Sequence, residues 1–176
     1  ANPSVNFKPT AVLSEAGDRV PNDANVIWEL HTRAADGSAG AWVRTEYGAT
    51  YAGSIEPGDY ILDVKLDYAH VAVPLTIAAD AVAEPEIDLE AGYIDLRPRI
   101  AEGAEIDDGA AVRTQFANGD ETTFYGEARS FVPAGDVKLT VTIGAATFAD
   151  TINVKAGENV TRDIVLGAGH ADKVQI

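Results

Sequence analysis

The chain repeats itself, and that repetition restricts its fold more than any single motif does. Ile55-Glu56-Pro57-Gly58-Asp59-Tyr60-Ile61-Leu62-Asp63-Val64 returns as Phe131-Val132-Pro133-Ala134-Gly135-Asp136-Val137-Lys138-Leu139-Thr140-Val141. From Gly58 and Gly135 onward the two copies run without a gap, 77 residues apart (135 − 58). In phase lie Leu62 and Leu139, Val64 and Val141, Leu75 and Ile152, Ile77 and Val154, Ile87 and Ile164, Leu89 and Leu166. The match ends with Ala91-Gly92 on Ala168-Gly169. Self-similarity of this period marks a chain built from one supersecondary unit used twice.

Upstream the match continues across loops of different length. Phe7-Lys8-Pro9 resembles Leu96-Arg97-Pro98, and Val26, Trp28 and Leu30 align with Val112, Thr114 and Phe116. Asp36-Gly37 falls on Asn118-Gly119, a turn dipeptide in both copies. The expected units are 1–91 and 92–169. Residues 170–176 form a tail where Tyr93-Ile94-Asp95-Leu96 begins the second unit, as if a third repeat started there.

Within each unit the period is two. Val26, Trp28 and Leu30 alternate with Ile27, Glu29 and His31; Leu62, Val64 and Leu66 alternate with Asp63, Lys65 and Asp67. Leu139, Val141 and Ile143 do the same against Lys138, Thr140 and Thr142. Alternation of this kind describes strands with one buried and one wet face. Turn signals (Ala16-Gly17-Asp18, Asp36-Gly37, Pro57-Gly58, Asn118-Gly119, Ala156-Gly157) punctuate the strands. The one helical candidate, Ala78 to Glu84, has a turn-like repeat partner in Lys155 to Asn159 and is read as a turn. The fold class is therefore all-β: two tandem immunoglobulin-like antiparallel β-sandwiches of six or seven strands each.

Charge narrows the partners. Lys plus Arg number 13 against 28 Asp plus Glu, a net charge of −15. Such a surface repels phosphate backbones and anionic membrane faces, and no apolar run spans a bilayer, so neither nucleic acid nor membrane insertion is expected. Cysteine is absent, which removes disulfides, thiolate metal sites and thiol nucleophiles together. Methionine is absent even at position 1, so Ala1 follows a removed leader or begins a piece of a longer chain.

The Pro57-Gly58-Asp59-Tyr60-Ile61-Leu62-Asp63-Val64 stretch resembles the hairpin hallmark of carboxypeptidase-regulatory-like and collagen-adhesin B-type sandwiches of bacterial envelope proteins, and that resemblance implies a transthyretin-like fold for both units. Tyr60 holds the aromatic position of that hallmark, and Val137 replaces it in the second unit. The resemblance covers nearly the whole chain and implies a modular, exported context (periplasmic, cell-surface or extracellular) and no reaction. Some relatives carry a Lys–Asn crosslink between first and last strands. Here Lys8 meets no Asn in Glu84 to Glu90, and Asn159 meets Arg97 and Arg99 instead of Lys.

No catalytic constellation emerges. His31, His70 and His170 are scattered and read as surface residues, and no nucleophile elbow, His-x-x-x-His pair or phosphate loop is present. Calcium is the one metal with candidates: Asp107 and Asp108 in one loop, Asn118 and Asp120 in another. Six to eight convergent oxygens would be needed, and ordinary turn chemistry explains the same residues. No other cofactor is expected. Four aromatics, Trp42, Tyr47, Tyr51 and Tyr125, are the candidates for a ligand platform; in edge strands such rings also serve as core cover. The expected function is a non-catalytic spacer or partner-presenting module, its partners being proteins or flanking domains of the same chain. The alternative is a ligand-binding module for carbohydrate or calcium serving an attached enzyme.

Overall fold

The computed structural model describes residues 5–166. Ala168-Gly169, His170 and the rest of the 170–176 tail lie outside them. The described residues are all-β, with no helix, and the chain divides into two compact units, Ala1–Glu90 and Ala91–Ile176.

Unit 1 contains β1 (Thr10–Val12), β2 (Ile27–Arg33), β3 (Ala39–Tyr47), β4 (Gly58–Leu66), β5 (Ala69–Ile77) and β6 (Glu86–Asp88). Its larger sheet has the order β3-β2-β4-β5, antiparallel throughout. The facing layer is the parallel pair β1-β6, widened by single bridges from Phe7 to Gly53 and Ala83 and from Thr10 to Thr50. Trp28, Leu30, Leu62, Val64 and Ile77 of the large sheet and Phe7, Ala11, Ile87 and Leu89 of the small one are buried together as the core. Trp28 also donates its indole Nε1–H to Gly48 O at 2.7 Å, so its one polar atom is satisfied in the interior.

Unit 2 contains β7 (Ala91–Arg99), β8 (Ala111–Gln115), β9 (Glu121–Tyr125), β10 (Ala128–Pro133), β11 (Gly135–Ile143), β12 (Ala146–Val154) and β13 (Asn159–Val165). Its sheets are β12-β11-β8-β9 and β10-β7-β13. As in unit 1, the first and last strands of the smaller sheet, β7 and β13, run parallel. Alternation alone does not reveal this parallel closure.

The two hairpins in the ungapped tract share one register. Gly58↔Ile77 through Leu66↔Ala69 reappears as Gly135↔Val154 through Ile143↔Ala146. Each closes on a two-residue turn whose first residue has positive φ, Asp67 at 52° and Gly144 at 58°.

Upstream, the structure corrects the sequence alignment by two residues. Trp28 pairs with Val64, and Val112 pairs with Val141, so Trp28 corresponds to Val112 and Leu30 to Thr114. Likewise Phe7 bridges Ala83 as Ile94 pairs Val160, in parallel and 77 residues on, which places Phe7 on Ile94 and not Leu96. Side chains alternate with period two, so a slip of two keeps every apolar residue on its correct face. Pattern matching cannot detect such a slip; the ladder can. Thr114 fills the place of Leu30 by donating its buried hydroxyl to Thr122 O at 3.0 Å.

The Asp36-Gly37 and Asn118-Gly119 turns are the same turn. Ala34 O and Phe116 O accept from Gly37 N–H and Gly119 N–H, each at 2.9 Å. Asp36 and Asn118 each accept from the backbone N–H two residues on. From Trp28 to Asp36 is eight residues and from Val112 to Asn118 is six, so the β2–β3 hairpin is longer than β8–β9.

Candidate functional site

The surplus in that longer hairpin is absorbed as irregularity in the ladder. β2 and β3 shift register between Leu30 and His31 and again between His31 and Arg33. Arg44 pairs with Leu30, so uninterrupted pairing would put Val43 opposite His31 and turn Trp42 toward the interior. Instead Trp42 pairs with His31. A bulge re-aims a side chain in this way, here moving the indole to the outer face of the sheet.

That outer face is assembled by cross-strand pairing. Tyr47, Ile27, Lys65 and His70 form one row; Thr45, Glu29, Asp63 and Ala72 form the next; Trp42, His31, Ile61 and Pro74 the third. Trp42 is 62% exposed and Tyr47 64%. The indole Nε1–H donates to Thr45 Oγ1 at 2.9 Å, which ties the ring down along its own strand. Glu29 anchors the middle. Its Oε1 lies 2.8 Å from His31 Nε2, and its Oε2 accepts from Thr45 Oγ1 at 3.5 Å. His31 Nδ1 is buried without a hydrogen-bond partner. Ile27, Glu29, Asp63, Lys65 and His70 line an adjoining open depression of about 250 Å³.

The other two aromatic candidates behave differently. Tyr51 is half-buried: its ring meets Phe7 edge-on (centroids 6.0 Å, 65°), and its hydroxyl accepts from Arg44 Nη1 at 2.8 Å. It also lies over Gly53, where any Cβ would collide with it. Tyr51 is core cover. Tyr125, 73% exposed, is the counterpart of Tyr47, since each precedes a glycine whose N–H reaches the matching carbonyl, Val26 O or Ala110 O, at 2.9 Å. Its surroundings differ. Where unit 1 places Glu29, His31 and Asp63, the same ladder positions of unit 2 hold Arg113, Gln115 and Thr140.

The calcium candidates are split between the two ends of β8. Asp107 Oδ1 accepts from Gly109 N–H at 2.8 Å and Asn118 Oδ1 from Asp120 N–H at 3.0 Å, both as local turn bonds. A five-residue strand separates the pairs by roughly 15 Å, so the four do not converge on one ion. Among the described residues no group of three or more His, Asp or Glu is placed to hold a metal. In unit 1 the matching Asp36 carboxyl is held below the usual range by the Ser38 hydroxyl and then by its N–H.

A second polar cluster lies on β7 and β10 of unit 2. Asp95 is buried and takes Arg97 Nη2–H at 3.0 Å; Arg97 Nε lies 3.5 Å from Glu127. Burial pushes the Asp95 carboxyl up, but hydrogen bonds from Glu127 and Arg97 and the charges of Arg97 and Arg129 outweigh it, leaving it below the usual range. The hydrogen bond to Asp95, burial and the Asp95 charge raise Glu127. Arg99 Nε pairs with Asp163 at 3.0 Å nearby. The cluster ties neighbouring strands together.

Sequence reasoning singled out Trp42 and Tyr47 as candidates and missed their polar setting. Glu29, Asp63 and Lys65 were visible only as the wet half of an alternating pattern, and the bulge that brings Trp42 among them leaves no mark in the composition. No helix among the described residues is long and apolar enough to cross a membrane.

No protein-family model and no curated protein sequence matches the chain. Among solved structures it is loosely similar to the minor pilin GBS52 of Streptococcus agalactiae, with 15% identity over 92% of this chain and 94% of that one (TM-score 0.45). A Bacteroides thetaiotaomicron protein described as an inferred polysaccharide-binding protein matches at 8% identity over 92% and 91% of the two chains (TM-score 0.46). The Bacillus anthracis TIE protein matches at 13% identity and TM-score 0.38, over 92% of this chain but only 34% of that one.

Proposed function

We propose that this chain is a non-catalytic interaction module of an exported bacterial protein, in which two sandwich repeats hold distance and unit 1 presents a recognition face. The repeats run from 1 to 91 and from 92 to 169, in keeping with the division between Glu90 and Ala91. The resemblance to carboxypeptidase-regulatory-like and collagen-adhesin B-type sandwiches belongs with this reading, as does an envelope or extracellular location. Partner identity follows from the site and not from the fold.

The observation that carries the proposal is the outer face of β3-β2-β4-β5. A bulge spends regular pairing to hold Trp42 in the open, beside a second exposed ring and a row of charged and hydroxyl side chains. Exposed aromatics on a rigid strand supply contact area at low entropic cost, which is what recognition surfaces select.

The test compares the whole chain with Trp42→Ala/Tyr47→Ala and with Tyr125→Ala for retention on immobilised cell-wall polysaccharides and extracellular-matrix proteins. Both variants should keep the parent circular-dichroism spectrum, because the altered side chains are exposed. Retention lost only in the unit 1 double variant supports the assignment. Equal retention by the double variant and the parent refutes it.

A further inference from the structure

Resting on that reading of the face, we infer that its ligand is a short, linear, uncharged oligosaccharide that bridges Trp42 and Tyr47 across the Glu29–Thr45 row.

Spacing is the first argument. Trp42 pairs with His31 and Tyr47 with Ile27, four residues apart on β2, which separates the two rings' attachment points by about 13 Å. That is the reach of several linked sugar rings and exceeds a single one. Both rings rise from one edge strand, so the ligand they would share lies extended along β3. Nothing encloses it, which suits an internal stretch of a polysaccharide as well as a free end.

The chemistry between the rings is the second argument. A protein interface concentrates apolar and aromatic residues at its centre and leaves charge for the rim. Here the order is reversed. The central row holds Thr45, Glu29 and Asp63, and the aromatic rings stand in the two end rows, Trp42 beside His31 and Tyr47 beside Ile27 and Lys65. Carboxylates accept from paired hydroxyls with both oxygens, and ammonium and hydroxyl groups complete the donor and acceptor set. A row of equatorial hydroxyls flanked by C–H faces matches that sequence of contacts; an apolar protein patch does not.

Preorganisation is the third. The Trp42 ring is tied to Thr45, and Thr45 and His31 are tied to Glu29. The platform therefore loses little rotamer freedom when a ligand arrives. Charge excludes the acidic glycans: Glu29 and Asp63 face the site, and the chain as a whole carries −15.

The test titrates the whole chain with cellohexaose, xylohexaose and maltohexaose as neutral probes, a polygalacturonate oligomer as the acidic probe and a chitosan oligomer as the cationic one. Trp42 reports directly, since Trp28 is only 2% exposed. The expected result is a Trp42 fluorescence change and measurable heat with at least one neutral hexamer, little altered by salt. Trp42→Ala should weaken it about tenfold or more and Tyr47→Ala several-fold, with Trp42→Phe recovering part of the loss. Tyr125→Ala should leave it unchanged. Binding of the acidic probe that depends on Trp42 would overturn the uncharged class and leave the face assignment standing. Salt-sensitive binding of chitosan that survives Trp42→Ala would overturn the stacking geometry. If every sugar is silent while Trp42→Ala/Tyr47→Ala still loses retention on a matrix protein, the oligosaccharide inference fails alone. If that retention is equal to the parent's, the face assignment fails too.

Discussion

Units 1 and 2 bury side chains at the same rungs where the core is made and diverge in chemistry where the surface is made. The hairpins β4–β5 and β11–β12 agree pair for pair. The hairpins β2–β3 and β8–β9 share their turn but differ by six residues between equivalent pairs (47 − 27 = 20 against 125 − 111 = 14), and only the longer one is bulged. Interior packing punishes small changes of volume and register, whereas an outer face on an edge strand can absorb an insertion and acquire a new set of contacts. A duplicated sandwich thereby keeps one scaffold while the outer faces of its two copies diverge.

The heaviest blow to the comparison is struck in the core. Trp28 and Val112 occupy the same rung and are both fully buried, yet they differ greatly in volume. Trp28→Ala should cost about 3–5 kcal/mol and Val112→Ala about 2 kcal/mol in urea unfolding. Equal losses would show that the indole does not organise the unit 1 core.

A milder test exchanges the turn residues. Asp67 and Gly144 share a left-handed backbone, which an L side chain adopts at a cost and glycine adopts freely. Asp67→Gly should stabilise by about 0.5 kcal/mol and Gly144→Asp destabilise by about 1 kcal/mol. Thermal melts of both variants check the pair; changes of the same sign would contradict the shared geometry.

pH should separate the units further, because the Asp95–Glu127 pair belongs to unit 2 alone; the matching unit 1 positions are Lys8 and Thr50. Asp95 has a depressed folded pKa, so its stabilisation is present above its unfolded value and lost as pH falls through the folded one. Glu127 has a raised folded pKa, so its stabilisation is full below its unfolded value and lost as pH rises through the folded one. Stability from this pair therefore peaks in the acid window between the two folded values. Glu127→Gln should flatten the loss on the alkaline side of a melting-temperature profile. An unaltered slope there would show that Glu127 does not contribute to it.

The smallest effect concerns the sheet edges and should not appear in a melt at all. β5 and β12 each end their sheet. At the same rung β5 has Pro74, which offers no N–H, while β12 has Thr151, whose N–H is taken by Asp150 Oδ1 at 2.8 Å. Both devices deny an incoming strand a donor. Pro74→Thr and Asp150→Ala should leave stability within about 0.5 kcal/mol but raise concentration-dependent light scattering. Scattering indistinguishable from the parent in both would mean that these groups do not guard the edges.

Much of this molecule was legible before its coordinates. The alternation around Leu62 and Leu139, the phase of Ile87 and Ile164 and the turns at Asp36-Gly37 and Asn118-Gly119 specified strands, faces and a duplicated sandwich. Tyr60 also appears where the hairpin resemblance puts an aromatic: its ring is buried and its hydroxyl donates to Glu56 O at 2.5 Å. The upstream alignment failed by two residues at both Phe7 and Trp28, for one reason: a period of two is blind to slips of two.

The sequence by itself determined which side chains face the interior, because apolar alternation admits only one inward face per strand. It also determined that the surface is acidic and that the unit is used twice. Only the tertiary structure decided the registers, the parallel closure by β6 and β13, and the place of each aromatic. Trp42 and Tyr51 look alike as edge-strand rings in the sequence; one covers Phe7 and Gly53, and the other stands beside Glu29. A register shift opposite His31, fixed by pairing between strands distant in the chain, makes that difference.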